Sequence, residues 1–257
     1  ISRGLVGSEM CIRDSSWTLT AGLIMQDVEA NGVWDHDPTV GDLKVMRLMP
    51  DWNDDEWTQT SLKLEGEVFG GTLTATYGDL ERDTETYADY SLYSDYYVSY
   101  GYVEPYYNCY VSYTGFCGDP REQYTNTTEI DRSTYEIRFV SDQEARLRYM
   151  VGYYGVEVDT ASDSDWHVMG LSGTPLAVDA PDIYWTTDFV RSYEETAYFG
   201  EISYDVTTAL TVAASARKFD YEGGLNGFSG TVWWPCGGWG PQGLSLIHIS
   251  EPTRPRL

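Results

Sequence analysis

The chain has 257 residues and carries 16 Lys and Arg against 41 Asp and Glu, a formal net charge of −25. That balance excludes a surface built for nucleic-acid phosphates, which needs a basic face. No run of 18 apolar residues occurs, so no membrane-spanning helix is expected, and neither a P-loop nor a dinucleotide glycine fingerprint is present.

The two ends encode one another. LVGSEMCIRDS (5–15) and LSLIHISEPTR (244–254) follow from opposite strands of a single DNA segment read one base out of phase. Nothing in protein physics produces that relation between two termini, and the segment looks like the end of a transposase-based sequencing adapter. Residues 1–15 and 244–257 are therefore expected to be adapter-derived and are set aside from fold reasoning, as expression tags are. Residues 16–243 are expected to be one domain that lacks its natural start and end.

Within that span the dominant signal has period two. SWTLTAGLIMQ places Trp17, Leu19, Ala21, Leu23 and Met25 on one side, with Thr18, Thr20, Gly22 and Gln26 on the other. TSLKLEGEV sets Leu62, Leu64 and Val68 against Lys63, Glu65 and Glu67, and TLTATY sets Leu73, Ala75 and Tyr77 against threonines. STYEIRFV gives Tyr135, Ile137 and Phe139 against Glu136 and Arg138; RLRYMVGYY gives Leu147, Tyr149, Val151 and Tyr153 against Arg146, Arg148 and Gly152. AYFGEISY gives Tyr198, Gly200, Ile202 and Tyr204, and LTVAASAR gives Leu210, Val212, Ala214 and Ala216. Such alternation describes strands with one face in an apolar medium and one in a polar medium. Seven strands are expected.

Their connections alternate between short and long. Phe69-Gly70-Gly71, the stretch near 141–145 and the stretch near 206–209 read as tight hairpins. The links over roughly 27–56, 81–132 and 159–192 read as long loops, which compact soluble domains rarely carry. Short turns on one side, long loops on the other and an apolar-out, polar-in dyad are the pattern of an antiparallel transmembrane β-barrel. Trp17, Tyr77, Tyr135 and Tyr204, at strand ends, are candidates for its aromatic girdles. A soluble all-β sandwich accommodates the same alternation and stays open here.

Four stretches carry a family resemblance: SWTLTAGLIMQD, DDEWTQTSLKLEGEVFGGTLTATYGDLERD, STYEIRFVSDQEARLRYMVGYYGVEVD and TAYFGEISYDVTTALTVAASARKFDYEG. Together they resemble the barrel of TonB-dependent outer-membrane receptors over most of residues 16–223. The resemblance implies a 22-stranded barrel closed by an N-terminal plug, embedded in outer-membrane lipid of a Gram-negative bacterium. It implies import of a scarce small-molecule or metal-chelate ligand, most commonly an iron–siderophore complex, driven through contact of the N-terminal region with the TonB complex. It implies no enzyme activity and no cofactor. The plug, the TonB-contacting box and the last barrel strand are not in the sequence. A passive porin-like channel and a soluble carbohydrate-binding β-sandwich are the alternatives.

The tyrosine-rich stretch TYADYSLYSDYYVSYGYVEPYYNCYVSYTGFCGDPREQY is the candidate ligand-capture surface, with Tyr96, Tyr97, Tyr100, Tyr106 and Tyr107 as its candidate contacts. A tyrosine offers a flat apolar body with a polar tip and little rotamer entropy to lose. A self-packed loop, or strands extended beyond the membrane, explains the same composition. Cys109 and Cys117 are a candidate disulfide in an exported loop, stabilising by about 2–3 kcal/mol if unstrained; Cys236 has no visible mate. The acidic groups Asp51, Asp54, Asp55 and Glu56, and Asp159, Asp163 and Asp165, lack EF-hand spacing. They read as solvated loop faces, with calcium binding the weaker reading. His36 and His167 are isolated, no nucleophile motif accompanies them, and no metal site is expected.

Overall fold

A computed structural model describes residues 2–13, 16–32, 36–91, 121–169 and 182–230. Eight strands make up one antiparallel sheet in strict sequence order: β1 (Ser2–Arg13), β2 (Trp17–Asn31), β3 (Trp52–Val68), β4 (Gly71–Asp89), β5 (Glu122–Ser141), β6 (Leu147–Val168), β7 (Ile183–Thr207) and β8 (Leu210–Gly230). Among the described residues each strand pairs only with its chain neighbours, and β1 and β8 do not pair, so the sheet is open.

The sequence predicts seven strands; the eighth is β1, from the segment set aside. It pairs along β2 from Gly4–Asp27 to Arg13–Thr18. A strand edge presents a row of unpaired N–H and C=O groups that any extended chain can satisfy. Residues 2–13 satisfy that edge of β2 as an extended chain.

All three expected hairpins are present. The first joins Val68 to Gly71 through Phe69 (φ 52°) and Gly70 (φ 75°). Two consecutive positive φ values are the signature of a type I′ turn, whose twist matches that of the flanking strands. Phenylalanine is a poor residue for its first position, since a Cβ in the left-handed region costs about 1–2 kcal/mol. Phe69 is also 98% exposed and gains little from packing. Phe69→Asn is expected to stabilise the hairpin by about 1 kcal/mol, read as a higher urea midpoint of the intact protein.

The long links are much shorter than the sequence suggests, because the strands continue through them. β4 runs on to Asp89, β5 starts at Glu122, β6 reaches Val168 and β7 starts at Ile183. Directly paired residues share a face, so the register divides the sheet into an apolar face and a mainly polar one, the latter also holding Ile24, Val140, Met150 and Phe199. One face carries Trp17, Leu19, Ala21, Leu62, Leu64, Ile137, Val151, Ile202 and Val212; the other carries Lys63, Glu65, Thr74, Glu136, Arg138, Arg148 and Arg217.

Burial tells which way the sheet curls. In a curled single layer the inner face is more enclosed than the outer. The buried side chains of the strands, Thr74, Glu122, Val156, Ser162, Ser164, Val168 and Ala197, all lie on the second face. On the first face large apolar side chains stand open: Ile137 is 51% exposed, Val151 53% and Tyr198 66%. The sheet is therefore concave on its polar side. Two aromatic residues on the convex side lie over glycines of the paired strand, Trp17 over Gly66 and Tyr135 over Gly155. Any side chain at those glycines meets a ring, which fixes the local register.

The apolar residues of the convex face form a belt, and the belt is slanted. It covers five to nine residues of each strand from β2 to β8: 17–25, 62–68, 73–77, 135–139, 147–153, 198–204 and 210–216. A single cross-strand row runs Leu19, Leu64, Ala75, Ile137, Tyr153, Tyr198, Lys218. The row starts inside the belt and ends on a lysine beyond it. Across six steps the belt centre slips by about one residue per strand, which at the usual rise and spacing corresponds to a tilt of about 35°.

Candidate functional site

At the hairpin end, the concave face carries paired charges. Lys63 Nζ lies 2.8 Å from Glu65, Arg138 lies 3.3 Å from Glu136, and Arg148 makes a bidentate contact with Asp205 at 2.6 and 2.7 Å. Arg217 donates to Glu195 at 2.6 Å while its guanidinium lies over the Tyr154 ring, and Tyr193 donates to the other Glu195 oxygen at 2.7 Å. These pairs sit on the face opposite the apolar belt.

Towards the far end the concave face changes character. Arg82 grips Asp55 with two hydrogen bonds of 2.8 and 2.7 Å. Beyond them come rows of small uncharged groups. Thr86 donates to Asn53 at 2.7 Å, Thr128 and Ser162 are 3.1 Å apart, Ser162 donates to Asn126 at 3.1 Å, and Thr187 and Ser229 are 2.7 Å apart. Above these stand Tyr124, Trp166 and Trp185, in one paired row across β5, β6 and β7. Tyr124 packs on Trp166 with centroids 4.8 Å apart and on Tyr90 at 5.7 Å; Trp185 donates to Ser229 at 3.0 Å.

The convex face above the belt is acidic row by row. Asp27, Glu56, Asp83 and Glu129 are neighbours in one row across β2–β5; Glu157, Glu194 and Glu222 are neighbours across β6–β8. Asp163 is paired directly with Asp188. Like charges directly opposite destabilise a sheet. Strands about 4.8 Å apart also lie inside the Debye length of about 8 Å at physiological salt, so screening between them is incomplete.

Two carboxylates outside the belt respond to pH with opposite sign. Partial desolvation, then the carboxylates of Asp165 and Asp188, hold Asp163 above the ordinary aspartate value of 3.8. Its contribution to stability is complete below that value and is lost as pH rises through its folded pKa. Asp163→Asn is expected to raise the urea midpoint near pH 7, with the gain fading in high salt and vanishing below pH 3.8. Burial acts to raise Asp89, but hydrogen bonds from Ser91 and the backbone N–H groups of Leu48 and Met49 outweigh it and hold Asp89 low. Its contribution is present at neutral pH and is lost as pH falls through the folded pKa. Through Asp89, and through Asp51, which accepts from Arg47 and from the Asp89 N–H, the loop between β2 and β3 is tied down on the end of β4.

Of the residues singled out in the sequence, Tyr96, Tyr97, Tyr100, Tyr106, Tyr107, Cys109, Cys117 and Cys236 lie outside the described residues. The acidic groups considered for calcium do not converge. Asp55 faces the concave side on Arg82, Asp54 and Glu56 face the convex side, and Asp51 belongs to the loop clasp. Asp159, Asp163 and Asp165 alternate along the convex face of β6, and His167 pairs with Thr125 at 3.2 Å. Among the described residues no three His, Cys, Asp or Glu side chains come together as a metal site. Of the rim aromatics, Tyr124 closes the tyrosine-rich stretch singled out in the sequence, though it is not among the five tyrosines named there, and Trp166 and Trp185 were missed; all three fall in stretches read as loops. No family model, curated protein or solved structure matches this chain.

Proposed function

We propose that the chain is part of the wall of a transmembrane β-barrel in the outer membrane of a Gram-negative bacterium, and that the barrel is a receptor importing a scarce substrate. The slanted belt carries this reading. A sheet closing round a polar interior must tilt its strands by about 35–45°, and a membrane slab then cuts the register obliquely. A second sheet packed on the convex face has no reason to follow that oblique line. The curl toward the polar side and the uncovered apolar side chains agree with hydrocarbon on the convex face and water on the concave one. Long strand extensions ending in tyrosine-rich sequence suit a surface that captures ligands above the membrane. The resemblance to TonB-dependent receptors supplies the energised import step and makes an iron–siderophore complex the reference substrate.

The test is fractionation and uptake with the intact gene product. The protein is expected in the outer-membrane fraction, with heat-modifiable gel mobility and uptake that stops when the inner membrane is de-energised. Uptake that survives de-energisation identifies a passive channel. Recovery of the intact protein in the aqueous fraction refutes the membrane assignment.

A further inference from the structure

The rim of the concave face has a composition unlike the rest of the chain. Nine positions make a block three strands wide: Tyr124, Asn126 and Thr128 on β5, Trp166, Ser164 and Ser162 on β6, Trp185, Thr187 and Phe189 on β7. None is charged, although 22% of the whole sequence is. The aromatic row forms a shelf; beneath it lie five small polar side chains and, at one corner, Phe189, so the block is a shallow trough running across the strands. The three rings span two inter-strand steps, about 10 Å, and Tyr90 extends the aromatic surface beyond β5. All the rings keep part of their surface open to solvent. The floor hydroxyls already bond to one another. A hydroxyl can donate once and accept twice, so Thr128 and Thr187, which are half-buried, retain capacity for a ligand, while Ser162 and Ser164 are buried and hold the floor together.

Flat aromatic surface above a floor of neutral donors and acceptors suits a ligand with apolar ring faces and equatorial hydroxyls. An anionic chelate would want several cations, and the block has one at its lower edge, Arg191, whose guanidinium lies over the Phe189 ring at 5.6 Å, away from the aromatic row. The net charge of −25 also repels such a ligand at long range. From this geometry we infer that the trough binds a neutral oligosaccharide laid across β5–β7, its sugar rings stacked on Tyr124, Trp166 and Trp185. This rests on the receptor reading and replaces its reference substrate with an uncharged glycan.

The intact receptor, purified from outer membranes in detergent, is titrated with neutral gluco-, xylo- and N-acetylglucosamine hexamers and, in parallel, with a ferric trihydroxamate and a ferric tricatecholate. A neutral hexamer is expected to bind. Trp166→Ala should weaken it by about tenfold or more, while Trp166→Phe, which keeps an aromatic face, should lose less than about threefold. Heat-modifiable mobility of each variant shows that assembly is intact. Failure of an assembled receptor to bind any neutral hexamer overturns the inference, as does binding that is unchanged in Trp166→Ala. Binding of a ferric chelate alone also overturns it and leaves the receptor reading standing, whereas a protein absent from the outer membrane removes that reading itself.

Discussion

A lysine at Ile137 is expected to destabilise the folded protein by about 2–4 kcal/mol, the cost of a cation on the lipid face near the bilayer midplane. A lysine at Thr76, one strand away on the concave face, is expected to change stability by no more than about 0.5 kcal/mol. Thr76 is paired directly with Glu136 on one side and Lys63 on the other, so its new charge meets one opposite and one like charge, and the two offset in a wet interior. The same substitution at Leu147, at the hairpin edge of the belt, should cost only about 0–1 kcal/mol because a cation there reaches the interface. Scanning lysine along each strand in vesicle-unfolding experiments should give a cost maximum that slips by about one residue per strand, following the belt. A soluble sandwich also penalises Ile137→Lys, but it provides no interface and no oblique line. A cost profile that ignores depth, or a penalty at Thr76 exceeding that at Ile137, would show that the faces have been assigned to the wrong media.

The strand cores were legible because apolar and polar residues alternate there, as in Leu62 to Val68 and Tyr135 to Phe139. Their extensions were not, because both faces are polar and hydropathy loses its period. Another period was available: in Glu81-Arg82-Asp83-Thr84-Glu85-Thr86 the acids alternate with residues that face inward. Read as charge, the stretch counted as loop is a strand. The rim shelf was hidden for a related reason. Tyr124, Trp166 and Trp185 are far apart in sequence, and only the register of β5–β7 puts them in one row. The charge pairs are mixed. Lys63 and Glu65 are two apart on one strand and could be anticipated, whereas Arg148–Asp205 and Arg82–Asp55 needed the pairing of neighbouring strands.

The described chain alone, refolded into lipid vesicles, is expected to give no cooperative unfolding transition and no heat-modifiable band. β8 pairs with β7 from Leu210 to Gly230 and has no partner on its other side among the described residues. Along its belt segment, 210–216, roughly half of the backbone N–H and C=O groups point away from β7, and each would cost several kcal/mol if left unsatisfied in hydrocarbon. Folding free energies of about 5–15 kcal/mol cannot absorb that. β1 relieves β2's edge only by presenting an edge of its own, so removing residues 1–15 should not rescue insertion. Supplying the remaining strands should, because closure satisfies both edges at once. Monomeric, heat-modifiable insertion of the isolated chain would mean that its two edges find each other. The wall would then be a complete eight-stranded barrel, too narrow for a plug, and the import role would fall while the membrane assignment survived.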